Sequence, residues 1–388
     1  ETMKFRHILL VVAAFVLVSA SSLAGVSPEA RHVSPNGGAP AQGDKAFGDP
    51  TDFLAAAAAA ADYIRYMQAD ITEDNAGNGD PDTDPDDAGW NWGLPDFEHN
   101  GTSYGNLYGV IANSVFEVYE QTGDPALRTV LDDVATQFLA VGPAPAYPVG
   151  LHYAGDIMFL LRYAELPGVV NPQDYRNGAL DVWNWRLTNT GTGTAVSVAE
   201  AIRDSRAGQG YRNGIIAWDV AAYVEAVMKL DAAFPGNGYA ADAAAMAEVL
   251  YQDSFALVPG YFDFDGRCKG YDPTYTNKDY YWYSLGLAGL IQAFSSTGTH
   301  LGDLALLETR MLECQYPDGA FGDQYGTPTD VNTRDWQTTA YAVQALTQFL
   351  PQTAATAAAT HDAGVWLAST QDVSGGFVYS SGNHYPEI

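Results

Sequence analysis

The chain has 388 residues, of which 47 are acidic and 18 basic, so its formal charge is −29 at pH 7. So acidic a balance argues against nucleic acid or anionic lipid as a partner, because both are bound through a basic patch, and it makes divalent cations natural companions. The composition is otherwise that of a globular protein, apart from 24 tyrosines and 8 tryptophans, which need buried or ligand-facing places.

The chain opens on a short basic segment, Met3-Lys4-Phe5-Arg6-His7, and eleven apolar residues, ILLVVAAFVLV. This is the pattern of a secretory signal peptide, residues 3–24, with Ser22 and Ala24 at the small-residue cleavage positions and Ala20 as the second choice of site. The apolar run is shorter than the ~20 residues of a membrane span, so the expected mature protein is secreted or held at the cell surface with no span. Glu1 and Thr2 precede the expected initiator and carry no structural signal. Residues 25–50, rich in Gly, Pro, Ala and Ser, read as a flexible lead-in, and the folded part is expected to be a single domain over 52–388.

Two kinds of helical segment then alternate. The first kind has one wet face. In ALRTVLDDVATQFLA (126–140), Leu127, Val130, Leu131, Val134 and Phe138 form one stripe, while Asp132, Asp133 and Gln137 point away. The segments 52–68, 172–187, 240–254, 302–315 and 353–370 read alike. The second kind is apolar or aromatic nearly all round and must be buried on most sides, as in DYYWYSLGLAGLIQAF (279–294). Its other members are 104–120, 151–166, 213–230 and 336–350. In chain order this gives eleven helices, wet and buried in turn. Short turns such as QTGDP (121–125) lead from buried to wet, and long connections rich in glycine, acids and aromatics lead from wet to buried. The pattern predicts an all-α fold, an α/α toroid of the six-hairpin type, in which inner helices turn one side to a central cavity. An open solenoid of helical hairpins shares the same pattern and is the rival. A sixth outer helix is present at 353–370 but no sixth inner helix follows it, so the natural protein is expected to continue past Ile388.

A second regularity sits at the end of the wet helices. Gln315-Tyr-Pro-Asp318-Gly319-Ala320-Phe321 is echoed by Gln371-Asp-Val-Ser-Gly375-Gly376-Phe377, and Gln68 with Gly89-Trp90 makes a third copy around an acidic insertion. The glutamine amide is expected to reach backbone groups left unpaired at a helix end, the glycine to supply the positive φ of a tight turn, and the aromatic to wedge between hairpins. In these residues the sequence resembles the superfamily of squalene and terpenoid cyclases and protein prenyltransferase β subunits, over about residues 52–388. That resemblance implies the toroid, and it implies a cavity lined by the N-terminal ends of the inner helices and the loops before them. Transferred to this chain, those positions hold His152 and Asp156, then Asn213, Trp218 and Asp219. Asp279, Tyr280, Tyr281 and Trp282 follow, and then Arg334, Asp335, Trp336 and Gln337. Asp279 and Asp335 also sit where an N-cap or first-turn acid belongs. Toroids serve several unrelated chemistries, so the fold does not select one.

The residues themselves narrow the choice. GRCKGYDPTYTNKDYYWYS (266–284) and RDWQTTAY (334–341) resemble the zinc-bearing segments of farnesyltransferase β subunits, but Tyr281 stands in the cysteine's place and Thr338 in the histidine's, leaving Asp279 alone. Zinc needs three or four donors, so zinc is not expected. Asp84-Pro85-Asp86-Asp87 spells the D-x-D-D of class II terpene cyclases, yet a cyclase acid must stay protonated in a dry pocket and this one lies in the acidic run DPDTDPDDAGWNW. In the same run Asp80, Asp82 and Asp84 are candidate calcium ligands, although Pro85 and Asn91 break the EF-hand pattern; a solvated acidic loop is the equal alternative. Cys268 and Cys314 either pair, closing a loop worth roughly 4 kcal/mol, or are two buried thiols. No G-x-S-x-G elbow, phosphate loop, H-E-x-x-H or paired C-x-x-C occurs.

A cavity of aromatics, acids and amides on an exported acidic protein suits sugar rings, so the expected partner is an extracellular glycan. Lysis would use Tyr281 or His152 as base, with Arg334 neutralising an acidic sugar. Hydrolysis would use Asp279 and Asp335. Trp218, Asp219, Trp282, Trp336, Gln337 and Asp156 are the candidate ligand contacts. The non-enzymatic alternative is a surface module that holds its ligand without chemistry, and a class II terpene cyclase is the third reading.

Overall fold

The computed structural model describes residues 52–73, 105–143, 153–190, 192–206, 213–254, 283–322, 334, 336–371 and 375–376. Among these the fold is built from α-helices. In chain order they are α1 (Phe53–Glu73), α2 (Gly105–Thr122), α3 (Pro125–Val141), α4 (Ala154–Tyr163), α5 (Pro172–Asn189), α6 (Ala195–Arg206), α7 (Asn213–Ala233), α8 (Tyr239–Ser254), α9 (Tyr283–Thr297), α10 (Leu304–Glu313), α11 (Trp336–Gln344) and α12 (Ala354–Thr370). A π-helical turn, Ala345–Phe349, prolongs α11.

The two kinds of helix fall into two layers. Every residue of α9 from Ser284 to Phe294 is buried. In α3 only one stripe is, Leu127, Val130, Leu131, Val134, Ala135 and Phe138, with Asp133 and Thr136 exposed. The inner row runs α2, α4, α7, α9 and α11, each packed on the next. Around it stand α1, α3, α5, α6, α8, α10 and α12. The inner row is tight because glycine lies at its contacts. A Cβ on Gly109 of α2 would strike the backbone of Gly155 and Asp156 in α4, and one on Gly289 of α9 would strike Ala217 and Trp218 in α7.

The turns from inner to outer helix are short and locally determined. Between α2 and α3, Gly123 takes a φ of +67° and Asp124 caps α3, accepting from the amide of Ala126 at 2.8 Å ahead of Pro125. At the end of the π turn, Ser295 donates to the carbonyl of Phe349 at 2.6 Å and Gln352 to that of Leu346 at 2.6 Å, which satisfies carbonyls that a helix end leaves open. Thr353 and Thr356 then cap α12 reciprocally, at 3.1 and 2.8 Å.

The layers close. Phe53 of α1 meets the ring of His361 of α12 edge on, with centroids 5.9 Å apart, and Gln371 after α12 donates to Ala56 of α1 at 2.9 Å. This is an α/α toroid, with the outer helices sealed first to last, and not an open arc of hairpins.

Two readings of the sequence are corrected. Helix α6 lies in a stretch read as a connection; its Ala195, Val198, Ala199 and Ile202 are buried at helical spacing against α7 and α8. Two outer helices, α5 and α6, therefore precede α7, and strict alternation breaks there. The staple glutamine also acts differently from expectation. Gln315 donates to the carbonyl of Ala359, inside α12, at 2.7 Å, and to Gly319 in its own turn at 3.0 Å, so it joins two outer helices instead of finishing one. Phe321 is fully buried, as the wedge requires, and its backbone exchanges hydrogen bonds with Thr339 of α11 at 2.9 and 3.3 Å. Cys314 is a buried free thiol donating to the carbonyl of Arg310, and burial pushes its pKa up to about 12; Cys268 lies outside the described residues.

Candidate functional site

The inner helices turn one stripe each toward the axis and enclose a hollow of about 670 Å³. On α2 the stripe is Val110, Asn113, Glu117 and Glu120; on α7 it is Trp218, Ala222, Glu225 and Lys229; on α11 and the π turn that prolongs it, it is Tyr341, Gln344 and Gln348. The spacing of three and four residues is that of one helix face. The described hollow begins at the N-terminal end of α4, at Tyr153 and Gly155, and runs along the middle and the C-terminal halves of the inner helices.

Its floor is aromatic. The Trp218 and Tyr341 rings meet at 61° with centroids 4.7 Å apart, and Tyr153 lies 6.4 Å from Trp218. The Tyr153 hydroxyl donates to Asp219 at 2.8 Å. Below it Tyr223 is fully enclosed, and burial, together with the nearby Asp156 and Asp219, pushes its pKa up to about 12 against the opposing pull of Arg186. The Arg186 guanidinium sits 5.3 Å over the Tyr223 ring. Burial also raises the Tyr341 hydroxyl well above its usual value, helped by Tyr153 and Asp219.

Nearer the mouth the walls carry charge. Arg162 of α4 donates to Glu117 and Glu120 at 2.6 Å each and lies 4.2 Å over the Phe116 ring. Burial alone would lower its pKa, but the two carboxylates outweigh that and raise it. Glu225 accepts from Gln292 of α9 at 2.7 Å and pairs with Lys229 at 3.2 Å. Among the described residues, the Tyr341 hydroxyl and Glu117 Oε2 are enclosed by protein and lack a hydrogen-bond partner.

The structure sorts the residues singled out from the sequence. Trp218 lines the hollow and Asp219 lies behind the floor, held by Tyr153. Asp156 is fully buried and accepts from the amides of Tyr153 at 2.9 Å and Gly109 at 3.0 Å, so its carboxylate caps α4 and ties it to α2. Gln337 is buried one turn before Tyr341. Trp336 points outward, donating to Thr370 at 2.8 Å and packing 6.1 Å from Trp366, both on α12. Arg334 is engaged in the staple loop, 2.7 Å from Asp318 and 4.1 Å over the Tyr316 ring, and does not line the hollow. His152, Asp279, Tyr281, Trp282, Asp335, Asp80, Asp82 and Asp84 lie outside the described residues. Among the described residues no group of three or more His, Cys, Asp or Glu is placed to hold a metal ion, and no helix is long and apolar enough to cross a membrane.

Sequence reading missed Tyr153, Tyr341, Glu117, Arg162 and Glu225. Their signal is nevertheless present. In helices that are apolar all round, Asn113, Glu117 and Glu120, like Glu225 and Lys229 or Gln344 and Gln348, recur at three or four residues and mark the face that meets water or ligand.

No family model matches the chain, and no curated protein does. Among solved structures, the GH76 α-mannanase of Bacteroides thetaiotaomicron is similar over 78% of this chain and 85% of its own, at 13% identity and a TM-score of 0.42. The GH76A α-1,6-mannanase of Salegentibacter sp. is similar over 79% of this chain and 89% of its own, at 12% identity and a TM-score of 0.40.

Proposed function

We propose that this chain is an exported toroid that takes an extracellular glycan into its central hollow and processes it there. The observation that carries the reading is the floor of Trp218, Tyr341 and Tyr153 beneath walls of carboxylates and amides. Sugar rings present apolar C–H faces, which stack on aromatic rings, and hydroxyls, which bond to carboxylate and amide groups. A hollow of this size, part apolar and part polar, is in the range of small-ligand sites. The N-terminal segment supports export. For the chemistry, Asp279 with Asp335 is the proposed hydrolytic pair, and Tyr281 or His152 with Arg334 the proposed lytic set. The pairing of Arg334 with Asp318 favours hydrolysis, because a cation already matched by a carboxylate is a weak partner for an acidic sugar.

The test is incubation of the secreted protein with neutral and acidic polysaccharides, with and without calcium. Release of reducing ends is the expected result, and release of unsaturated ends would assign lysis instead. Binding without release from any polysaccharide would make the protein a non-catalytic surface module. A dependence on calcium would point to Asp80, Asp82 and Asp84.

A further inference from the structure

Asn113 of α2 stands half-buried on the wall of the hollow, one turn beyond Val110. Its side-chain nitrogen is fully used. Nδ2 donates to the carbonyl of Gly109 in its own helix at 2.5 Å and to that of Gly155 in α4 at 2.9 Å. An amide nitrogen carries two hydrogens, so none is left to donate. Nor can the amide turn over, because its oxygen would then face two carbonyl oxygens. The seam that holds it is close, since Gly109 and Gly155 are where α2 and α4 meet backbone to backbone.

What Asn113 offers to the hollow is therefore Oδ1, which accepts and does not donate. Among the described residues no group donates to this oxygen, and it is not one of the atoms that protein encloses without a partner, as the Tyr341 hydroxyl and Glu117 Oε2 are. Its open surface meets the hollow that the residue lines. The aromatic floor is near. Gly155 is two residues from Tyr153, about 7 Å along the chain when fully extended, and the Tyr153 ring lies 6.4 Å from that of Trp218. Tying α2 to α4 accounts for the nitrogen but not for a fixed, open acceptor beside an aromatic platform.

We infer that Asn113 is a specificity-determining residue of the hollow, whose Oδ1 accepts from a hydroxyl of a sugar resting its C–H face on Trp218. This rests on the glycan reading and adds the chemistry selected: a neutral sugar with a free hydroxyl on the edge turned to α2. A carboxylate at that edge has no hydrogen to give and is repelled by the amide oxygen.

Calorimetric titration tests it with the methyl glycosides of glucose, mannose, galactose and xylose, each beside its monodeoxy and monodeoxyfluoro analogues. Fluorine fills the place of a hydroxyl but cannot donate. For a glycoside that binds, deoxygenation and fluorination at one ring position are each expected to weaken binding to the wild-type chain by about tenfold, the worth of one hydrogen bond. Asn113→Ala is expected to bind the parent glycoside about tenfold more weakly, and to bind the parent and those two analogues alike. Its melting temperature should fall as well, because the ties to Gly109 and Gly155 are lost. Asn113→Thr, whose hydroxyl can still donate four residues back to Gly109, should lose less stability and show the same loss of preference. A helix clamp alone would lower the melting temperature and leave the preference among analogues as in wild type; that result overturns the inference while the glycan reading stands. The inference is equally overturned if fluorine at every position is bound by wild type as tightly as the hydroxyl. If none of these glycosides binds the wild-type chain the inference falls, and the glycan reading falls with it only if polysaccharides too are neither bound nor cleaved.

Discussion

Gln371 donates its side-chain amide to the carbonyl of Ala56, 2.9 Å away and 315 residues earlier in the chain. Gln315 does the same to Ala359, and in both cases the amide also closes its own turn, on Gly375 at 2.6 Å and on Gly319 at 3.0 Å. The correspondence continues one turn on. Gly375 rests against the Ala59 carbonyl and Gly319 against the Asp362 carbonyl, each three residues after the glutamine's acceptor. Helix α1 thus stands to the last staple as α12 stands to the staple before it. The ring is closed by a device it also uses internally.

If closure depends on this contact, Gln371→Ala should destabilise the fold by about 1–3 kcal/mol, the cost of two lost donors facing backbone carbonyls. Gln315→Ala should cost a similar amount, because the geometry is the same. Urea denaturation gives both values. A Gln371→Ala variant within ~0.5 kcal/mol of wild type, the range of an ordinary surface change, would mean that the ring is sealed by other contacts.

Glycines at positive φ divide by what surrounds them. At Gly319, φ is +100° and an added Cβ would run into the Asp362 carbonyl of α12. At Gly123, φ is +67° and nothing lies within 4 Å. Gly123→Ala should therefore cost only the left-handed backbone penalty, about 1–2 kcal/mol. Gly319→Ala adds a clash with main chain and should cost several kcal/mol or abolish folding. Equal costs in thermal denaturation would remove the staple's close approach from the account of stability.

The alternation of helices was legible because burial on one face and burial all round leave different residue patterns. What those patterns could not convey is rotation. A helix such as α11, apolar on nearly every side, does not say which side meets the cavity, and Trp336 was therefore read as a ligand contact. It lies five residues from Tyr341, about 140° round the helix, and faces α12. The polar minority, Gln344 on α11, Gln348 in its π turn and Glu117 on α2, fixes the rotation. The staple was legible as a repeat, but its acceptor was not, since Ala359 and Ala56 carry no side-chain signal and act through their carbonyls. Helix α6 went unseen because Ser197, Thr194 and the glycines before it read as loop; those same residues make its N-terminal cap, Ser197 and Thr194 exchanging amide-to-hydroxyl bonds at 3.1 Å.

Replacing a helix-interior glycine by alanine ordinarily adds up to about 1 kcal/mol of stability. Gly289 should reverse that sign, because its Cβ would occupy the backbone of Ala217 and Trp218 and force α9 away from α7. A loss of about 1–3 kcal/mol is expected for Gly289→Ala. Gly178 of α5 is the control. The nearest atom to its added Cβ is the end of the Leu139 side chain, 3.1 Å away, and Leu139 is 39% exposed and free to turn aside. Gly178→Ala should be neutral or stabilising. A stabilised Gly289→Ala variant would show that the inner helices do not depend on this close contact.

The buried tyrosines set the alkaline limit. Burial raises Tyr223 to about 12 and holds Tyr341 well above its usual value, whereas both titrate near 10 in the unfolded chain. Above about pH 10 the unfolded chain loses these protons and the folded chain keeps them. The unfolded state then binds fewer protons, so stability falls as pH rises, by about 1.4 kcal/mol per pH unit for each group. Below pH ~10 the contribution is fully present and flat. Helical circular dichroism and tyrosinate absorbance, followed together from pH 8 to 12, should therefore show the last tyrosines ionising only as the helices melt. Tyr341→Phe removes one of the groups and should move the melting midpoint to higher pH. Complete ionisation of the 24 tyrosines with the helical signal intact would mean that neither ring is sealed at the floor of the hollow.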